Sequence, residues 1–165
     1  MNATLRNSAL ALCGLGLVFL LPCCAGLRIN LTSSLPKGIY ALCPGTPGKG
    51  DFVTFCLEGE FADLARKRGY LQAGSCPSGL RPLLKRVAGL PGDSIPKNLH
   101  IWSADSLGRA MPSALQTGII PSGMALVLAE HPGSFDGRYF GLVPLDALQR
   151  VKPVISFNLQ KGELP

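Results

Sequence analysis

The hydrophobic pattern changes character twice along the chain. From Ser8 to Leu27 the run "SALALCGLGLVFLLPCCAGL" carries no charged side chain. As a helix it would reach about 30 Å, roughly one bilayer core. Pro22 and Gly26 weaken a helix in water but are tolerated in membrane helices. The run therefore predicts an N-terminal membrane anchor or signal-like segment over residues 1–28. A cleaved signal peptide would have a shorter apolar centre and an A-x-A-like exit, which "CCAG" matches poorly. Pro22 directly before Cys23 also argues against lipoprotein processing. Positive residues are nearly balanced across the run, Arg6 on one side and Arg28 and Lys37 on the other, so charge alone does not orient it.

Past the anchor the period shortens. "IYALCP", "FVTFCL", "LLKRVAGL", "HIWSA", "MALVLAE", "GRYFGLV" and "VKPVISF" read as short strands. Turn chemistry punctuates them at "SLPKG", "GTPGKGD" and "PGDS". Pro153 favours an edge position for the last strand. Only "GEFADLARKRGY" switches to a helical period: Phe61, Leu64, Ala65 and Arg68 share one face and Gly69 is the stop. The expectation is a mainly-β domain over residues 29–165, coiled and antiparallel, with one short helix.

Composition narrows the function. The formal net charge is +6. The basic residues are scattered, however, and "RKR" at 66–68 fits a solvated helix face, which argues against nucleic-acid binding. Cys43, Cys56 and Cys76 lie beyond the anchor, without a C-x-x-C and with His100 and His131 far apart. No metal site and no cofactor are expected. Cys56 and Cys76 bracket the helix and the loop after it and are the expected disulfide, with Cys43 free or able to replace one partner.

Three stretches can carry chemistry. In "LLKRVAGL", strand alternation puts Leu83, Lys85 and Val87 on one face. A lysine flanked by apolar neighbours either snorkels to an edge or is desolvated, and a desolvated lysine can act as a general base. In "SSLPKG", Pro36 stiffens the backbone after Ser33 and Ser34, as a nucleophile's approach angle requires, although plain turn serines look the same. In "SFDGRYFG", Asp136 and Arg138 would share a strand face, with Gly137 permitting close backbone approach. Such a pair can anchor the strand and orient a nearby ammonium, or simply form a surface ion pair at a hairpin.

Together, "NLTSSLPKGIY", "GDFVTF", "LLKRVAGLPGD" and "SFDGRYFGLVP" closely resemble the signal-peptidase-like serine peptidases of bacterial conjugation systems. That group is the TraF branch of the type I signal peptidase superfamily. "DSLGRAMP" is also similar to a stretch of the conjugative branch. The resemblance implies a signal-peptidase-like fold. It implies Ser34 as nucleophile, Lys85 as general base, Asp136 as the supporting acid and Arg138 as its partner. The register of the general signal peptidases would select Ser33 instead. Gly137 stands where serine is common, so Ser134 or a water would have to supply that hydroxyl. The implied activity is that of a membrane-anchored serine endopeptidase with its catalytic domain in the periplasm. Its expected partner is a pilin or preprotein at the inner-membrane surface, together with other components of the conjugation apparatus. The acyl-enzyme would resolve by hydrolysis or by cyclisation of the pilin. General preprotein processing and a non-catalytic structural role in the apparatus are the alternatives.

Overall fold

The computed structural model describes residues 26–157, so the predicted anchor lies almost wholly outside the described residues. Among the described residues no helix is long and apolar enough to cross a membrane. Seven strands form an antiparallel sheet: β1 (Leu27–Asn30), β2 (Gly38–Leu42), β3 (Phe52–Phe55), β4 (Leu83–Gly89), β5 (Met124–Leu128), β6 (Val143–Pro144) and β7 (Gln149–Ser156). Their order in the sheet is β1-β2-β7-β3-β4-β5-β6. Helix α1 (Gly59–Arg68) follows β3, and a single helical turn, α2 (Gly137–Phe140), precedes β6. Among the described residues the architecture is mainly β with one substantial helix, as the short, punctuated strands predict.

Alternation builds the core. Leu83, Lys85, Val87 and Gly89 of β4 are buried, while Leu84, Arg86 and Ala88 are half-buried on the other face. Leu83 and Val87 pack with Val53, Phe55, Val127 and Phe140 in the main cluster. A smaller cluster of Ile95, Ile120 and Leu126 sits beside it. Helix α1 buries Ala62 and Ala65 and stops where Gly69 adopts a left-handed conformation at φ 72°. Cys56 and Cys76 form the expected disulfide, leaving Cys43 as a free thiol.

Three expectations fail, each for a physical reason. "HIWSA" forms no strand; the region holds only an isolated bridge between Ala104 and Ala110. There Asp105 accepts from the backbone N–H groups of Leu107 and Arg109, and this turn replaces a ladder. "GRYFGLV" is not one strand either. Asp136 is extended and its side chain accepts from the Arg138 N–H, so it caps the turn α2 rather than continuing a strand. Lastly, β7 is interior, not an edge. Pro153 is tolerated because β3 pairs only with Gln149–Val151, so the flank of β7 facing β3 is already free at Pro153. On its other flank a register shift opposite Ile39 and Tyr40 absorbs the irregularity.

The disulfide closes a sequence separation of 20 residues. Loop-closure entropy assigns such a link about 3 kcal/mol. Replacing Cys56 and Cys76 together by serine is expected to lower the free energy of unfolding by that order in a urea titration, and adding reductant to the wild type should do the same. Superimposable curves for all three samples would show that the link contributes nothing.

Candidate active site

The site begins with a turn. β1 and β2 are joined by Leu31–Lys37, which carries both candidate serines, and the buried Asn30 holds this turn from inside. Its Nδ2 donates to the carbonyls of Leu35 (3.0 Å), Pro36 (3.1 Å) and Thr32 (3.2 Å). Its Oδ1 accepts from the Thr32 hydroxyl (2.7 Å) and the Thr32 N–H (3.2 Å). The buried Tyr40 completes the clamp by donating its hydroxyl to the Pro36 carbonyl at 2.7 Å. Leu35 is buried, and a Cβ on Gly38 would collide with the carbonyl of Ile155 on β7. Asn30, Thr32, Leu35, Pro36, Gly38 and Tyr40 of "NLTSSLPKGIY" each have a distinct contact that fixes the turn. Asn30 and Tyr40 escaped the sequence reading, because a strand-end asparagine and a strand tyrosine have no pattern of their own.

The turn sets the two serines apart. Ser33 is exposed, whereas Ser34 is half-buried and its Oγ accepts a hydrogen bond from the Ser134 hydroxyl at 3.1 Å. The Glu130 N–H donates to the Ser34 carbonyl at 3.0 Å, which fixes the turn to the end of β5.

Lys85 approaches from the neighbouring strand. Arg86 of β4 faces Leu128 of β5, so the next positions along the two strands are Lys85 and Ala129, directly before Glu130. Lys85 is only 2% exposed and lies on the core face between Leu83 and Val87. Burial strips its ammonium of water and lowers its pKa to about 8, while the Asp136 carboxylate opposes that shift and the Arg138 guanidinium adds to it.

Asp136 is fully buried and saturated with donors. It accepts from the Ala129 N–H at 2.8 Å, the Arg138 N–H at 3.0 Å, Arg138 Nε at 2.9 Å and Arg138 Nη2 at 2.6 Å. The hydrogen bonds to Asp136 raise the pKa of Arg138 further, so its charge is permanent. Arg138 also donates to the carbonyls of Pro132 (2.6 Å) and His131 (3.0 Å), and so staples the loop that presents Ser134. Gly137 allows this approach: a Cβ there would lie 2.6 Å from the Val127 carbonyl. The glycine that departs from the resembled motif is thus required by close packing of α2 on β5.

Asp136 and Arg138 lie near enough to Lys85 to shift its pKa, and the loop they hold brings Ser134 to Ser34, a hydroxyl partner for the serine and not for the lysine. Ser33 shares the cleft but not the hydrogen bond. That cleft holds about 570 Å³ and is lined by Ser33, Ser34, His131 and Ser134 together with Trp102, Tyr70, Met111 and Tyr139. The cleft thus offers a half-buried hydroxyl, Ser34, hydrogen-bonded to Ser134, while the desolvated Lys85 amine lies within reach of the charges of Asp136 and Arg138. Among the described residues no group of three or more His, Cys, Asp or Glu gathers to hold a metal ion. A second cavity of about 600 Å³, lined by residues of α1 and β6, contains none of Ser33, Ser34, Lys85, Ser134, Asp136 and Arg138.

No protein-family model matches the chain. Individual relatives do. The conjugal transfer protein TraF of Agrobacterium fabrum is 34% identical over 149 residues, covering 81% of this chain and 84% of the relative. A probable conjugal transfer protein TraF of Sinorhizobium fredii is 35% identical over 134 residues, 72% of this chain and 71% of the relative. A plasmid transfer protein TraF of Escherichia coli is 32% identical over 152 residues, again 81% and 84%. With identity above the level of chance similarity over most of both partners, the chain belongs to the TraF family of conjugal transfer proteins.

Proposed function

We propose that this TraF-family chain is a membrane-anchored serine endopeptidase of the signal-peptidase type that uses Ser34 and Lys85 to process an exported precursor, a pilin in the first instance. The observation that carries the reading is Lys85, an amine buried on the core face of β4 with its pKa lowered to about 8, whose neighbour in sequence, Arg86, faces Leu128, two residues before the Glu130 that donates to the Ser34 carbonyl. A merely structural position has no use for an ammonium that costs this much to bury.

The chemistry follows from these groups. Neutral Lys85 removes the proton of Ser34. Ser134 donates to Ser34 Oγ, so the proton of Ser34 remains free to move to the lysine while the developing alkoxide keeps a donor. The alkoxide attacks a peptide carbonyl, and backbone N–H groups of the rigid turn stabilise the tetrahedral oxyanion. Lysine, now protonated, gives the proton to the departing amine. Water or the product's own amino terminus then opens the acyl-enzyme, releasing a linear or a cyclic product. Asp136 and Arg138 hold the loop and set the field at the amine without touching the substrate.

The membrane setting has support of its own. Ile29, Ile39 and Ile155 form one row across β1, β2 and β7. Ile29 is 67% exposed and Ile155 50%, on the face opposite the buried Asn30 and Tyr40. The uncharged run ends at Leu27, where β1 begins, so this face lies next to the bilayer if the run is an anchor. A non-catalytic component of the transfer apparatus is the competing reading, because the relatives' names speak only of transfer.

The Lys85→Met, Lys85→Arg, Ser34→Ala and Ser33→Ala variants decide between them in a precursor-cleavage assay, with circular dichroism as the folding control. Cleavage is expected to fall by at least 10³-fold in the first three and to persist in Ser33→Ala. Wild-type rates in Lys85→Met or Ser34→Ala would leave the non-catalytic reading, and loss confined to Ser33→Ala would move the nucleophile to Ser33. In the wild type, kcat/KM should rise with pH through about 8, because the base works when deprotonated. Lys85→Met should also be more stable than wild type at neutral pH. The burial cost is fully present below the folded pKa of about 8 and fades as pH rises toward the ordinary value of 10.5.

For the membrane face, a fluorophore on Ile155→Cys, with Cys13, Cys23, Cys24 and Cys43 replaced by serine, should be quenched by brominated lipid when the full chain is in vesicles. Emission as in water, unquenched, would turn this face away from the bilayer.

A further inference from the structure

The far wall of the cleft is not needed by the dyad, yet it is tightly built. The hairpin around Asp105 is pinned to the end of α1. Asp105 accepts from the Tyr70 hydroxyl at 2.5 Å, Arg109 Nε at 2.7 Å, and the N–H groups of Leu107 and Arg109 at 2.9 Å each. Arg68 donates to the Ala110 carbonyl at 2.9 Å, and Arg109 lies over the Tyr70 ring at 5.6 Å. The Asp105 side chain is 9% exposed and its charge is already answered by Arg68 and Arg109. The wall is therefore rigid and has no carboxylate free for a basic ligand.

On this rigid wall stands Trp102, 49% exposed and backed edge-on by His100 with ring centres 4.3 Å apart. Trp102 and Met111 line the same cleft as Ser34. A half-exposed indole with a thioether in the same cleft offers an apolar surface that a side chain of a ligand can cover. The volume of about 570 Å³ exceeds what one small side chain beside the serine would fill. Continuity with the turn of Ser34 makes an extended peptide the fitting occupant.

We infer that the Trp102–Met111 wall is a side-chain subsite that receives a bulky apolar residue of the peptide substrate, away from the bond that is cut. The peptide as ligand rests on the peptidase reading; the apolar character of the subsite rests on the wall itself. Selectivity then has an element remote from the reacting carbonyl, and basic residues are excluded there because the only carboxylate of the wall is occupied.

Trp102 is the single tryptophan of the chain, so its emission reports the subsite directly. The full chain carrying Ser34→Ala, in detergent, is titrated with alanine-based dodecapeptides that bear leucine, serine or lysine at one position in turn. At one position leucine should shift the Trp102 emission to the blue, with serine or lysine there binding about tenfold more weakly, as expected for losing part of a buried leucine's burial free energy. In active protein, Trp102→Ala should raise KM about tenfold with kcat unchanged, and Trp102→Phe should restore much of the loss. Leu107→Ala, at the exposed tip of the hairpin, should change neither. Emission that no peptide alters, or an unchanged KM in Trp102→Ala, overturns the subsite and leaves the peptidase reading intact. Peptides that shift the emission of the Ser34→Ala protein but are never cut by the wild type would keep the subsite and remove the peptidase.

Discussion

Burying one lysine amine is the constraint around which this end of the molecule is arranged. An ammonium that loses its water is destabilised unless opposite charge or hydrogen bonds replace the solvent. Lys85 receives only partial relief. Asp136 is near enough to raise its pKa, but the carboxylate is already bound by Arg138 and two backbone N–H groups. Desolvation wins, and the amine ends at about 8 rather than 10.5. The difference corresponds to roughly 3 kcal/mol, a large share of a small domain's stability. Had Asp136 been free to pair with Lys85, the ammonium would be stable and useless as a base. Arg138 prevents that, because it holds Asp136 from a fixed place two residues along the chain.

The proposed nucleophile, Ser34, is positioned by a separate device. A turn with a hydroxyl is common; a turn whose carbonyls are held by a buried amide and a buried phenol is not. Asn30 and Tyr40 both reach the Pro36 carbonyl, from β1 and β2 respectively. Glu130, two residues past β5, fixes the Ser34 carbonyl. Two strands and the segment after a third thus converge on what would otherwise be a loose connection. The loop of Ser134 is set independently by Arg138, so the two hydroxyls meet through elements a hundred residues apart in sequence.

Local sequence pattern made some of this legible. Alternation along β4 located Lys85 on the buried face, since Leu83 and Val87 have nowhere else to go. The stop of α1 at Gly69 and the pairing of Cys56 with Cys76 were legible from a helical period and from spacing. What pattern could not reach was competition between local and long-range bonds. Asp136 and Arg138 alternate as strand residues would, but the carboxylate satisfies the Arg138 N–H and caps a turn. Pro153 reads as an edge residue, yet β3 is simply too short to need its N–H. Asn30 is a lone polar residue at the end of a four-residue strand, and the five hydrogen bonds of its side chain all lie within the turn that follows. Trp102 sits in a segment rich enough in apolar residues to suggest a strand, but the Asp105 turn shapes it into a wall.

The account stands on the protonation of one amine, and that can be observed without any substrate. The full chain, labelled with 15N at lysine side chains and carrying Ser34→Ala, is titrated by NMR. Lys85→Met identifies the resonance by its disappearance. The predicted result is a single lysine amine that titrates near pH 8 while the others titrate near 10.5. A Lys85 amine that remains protonated to pH 10 would contradict the account at its base.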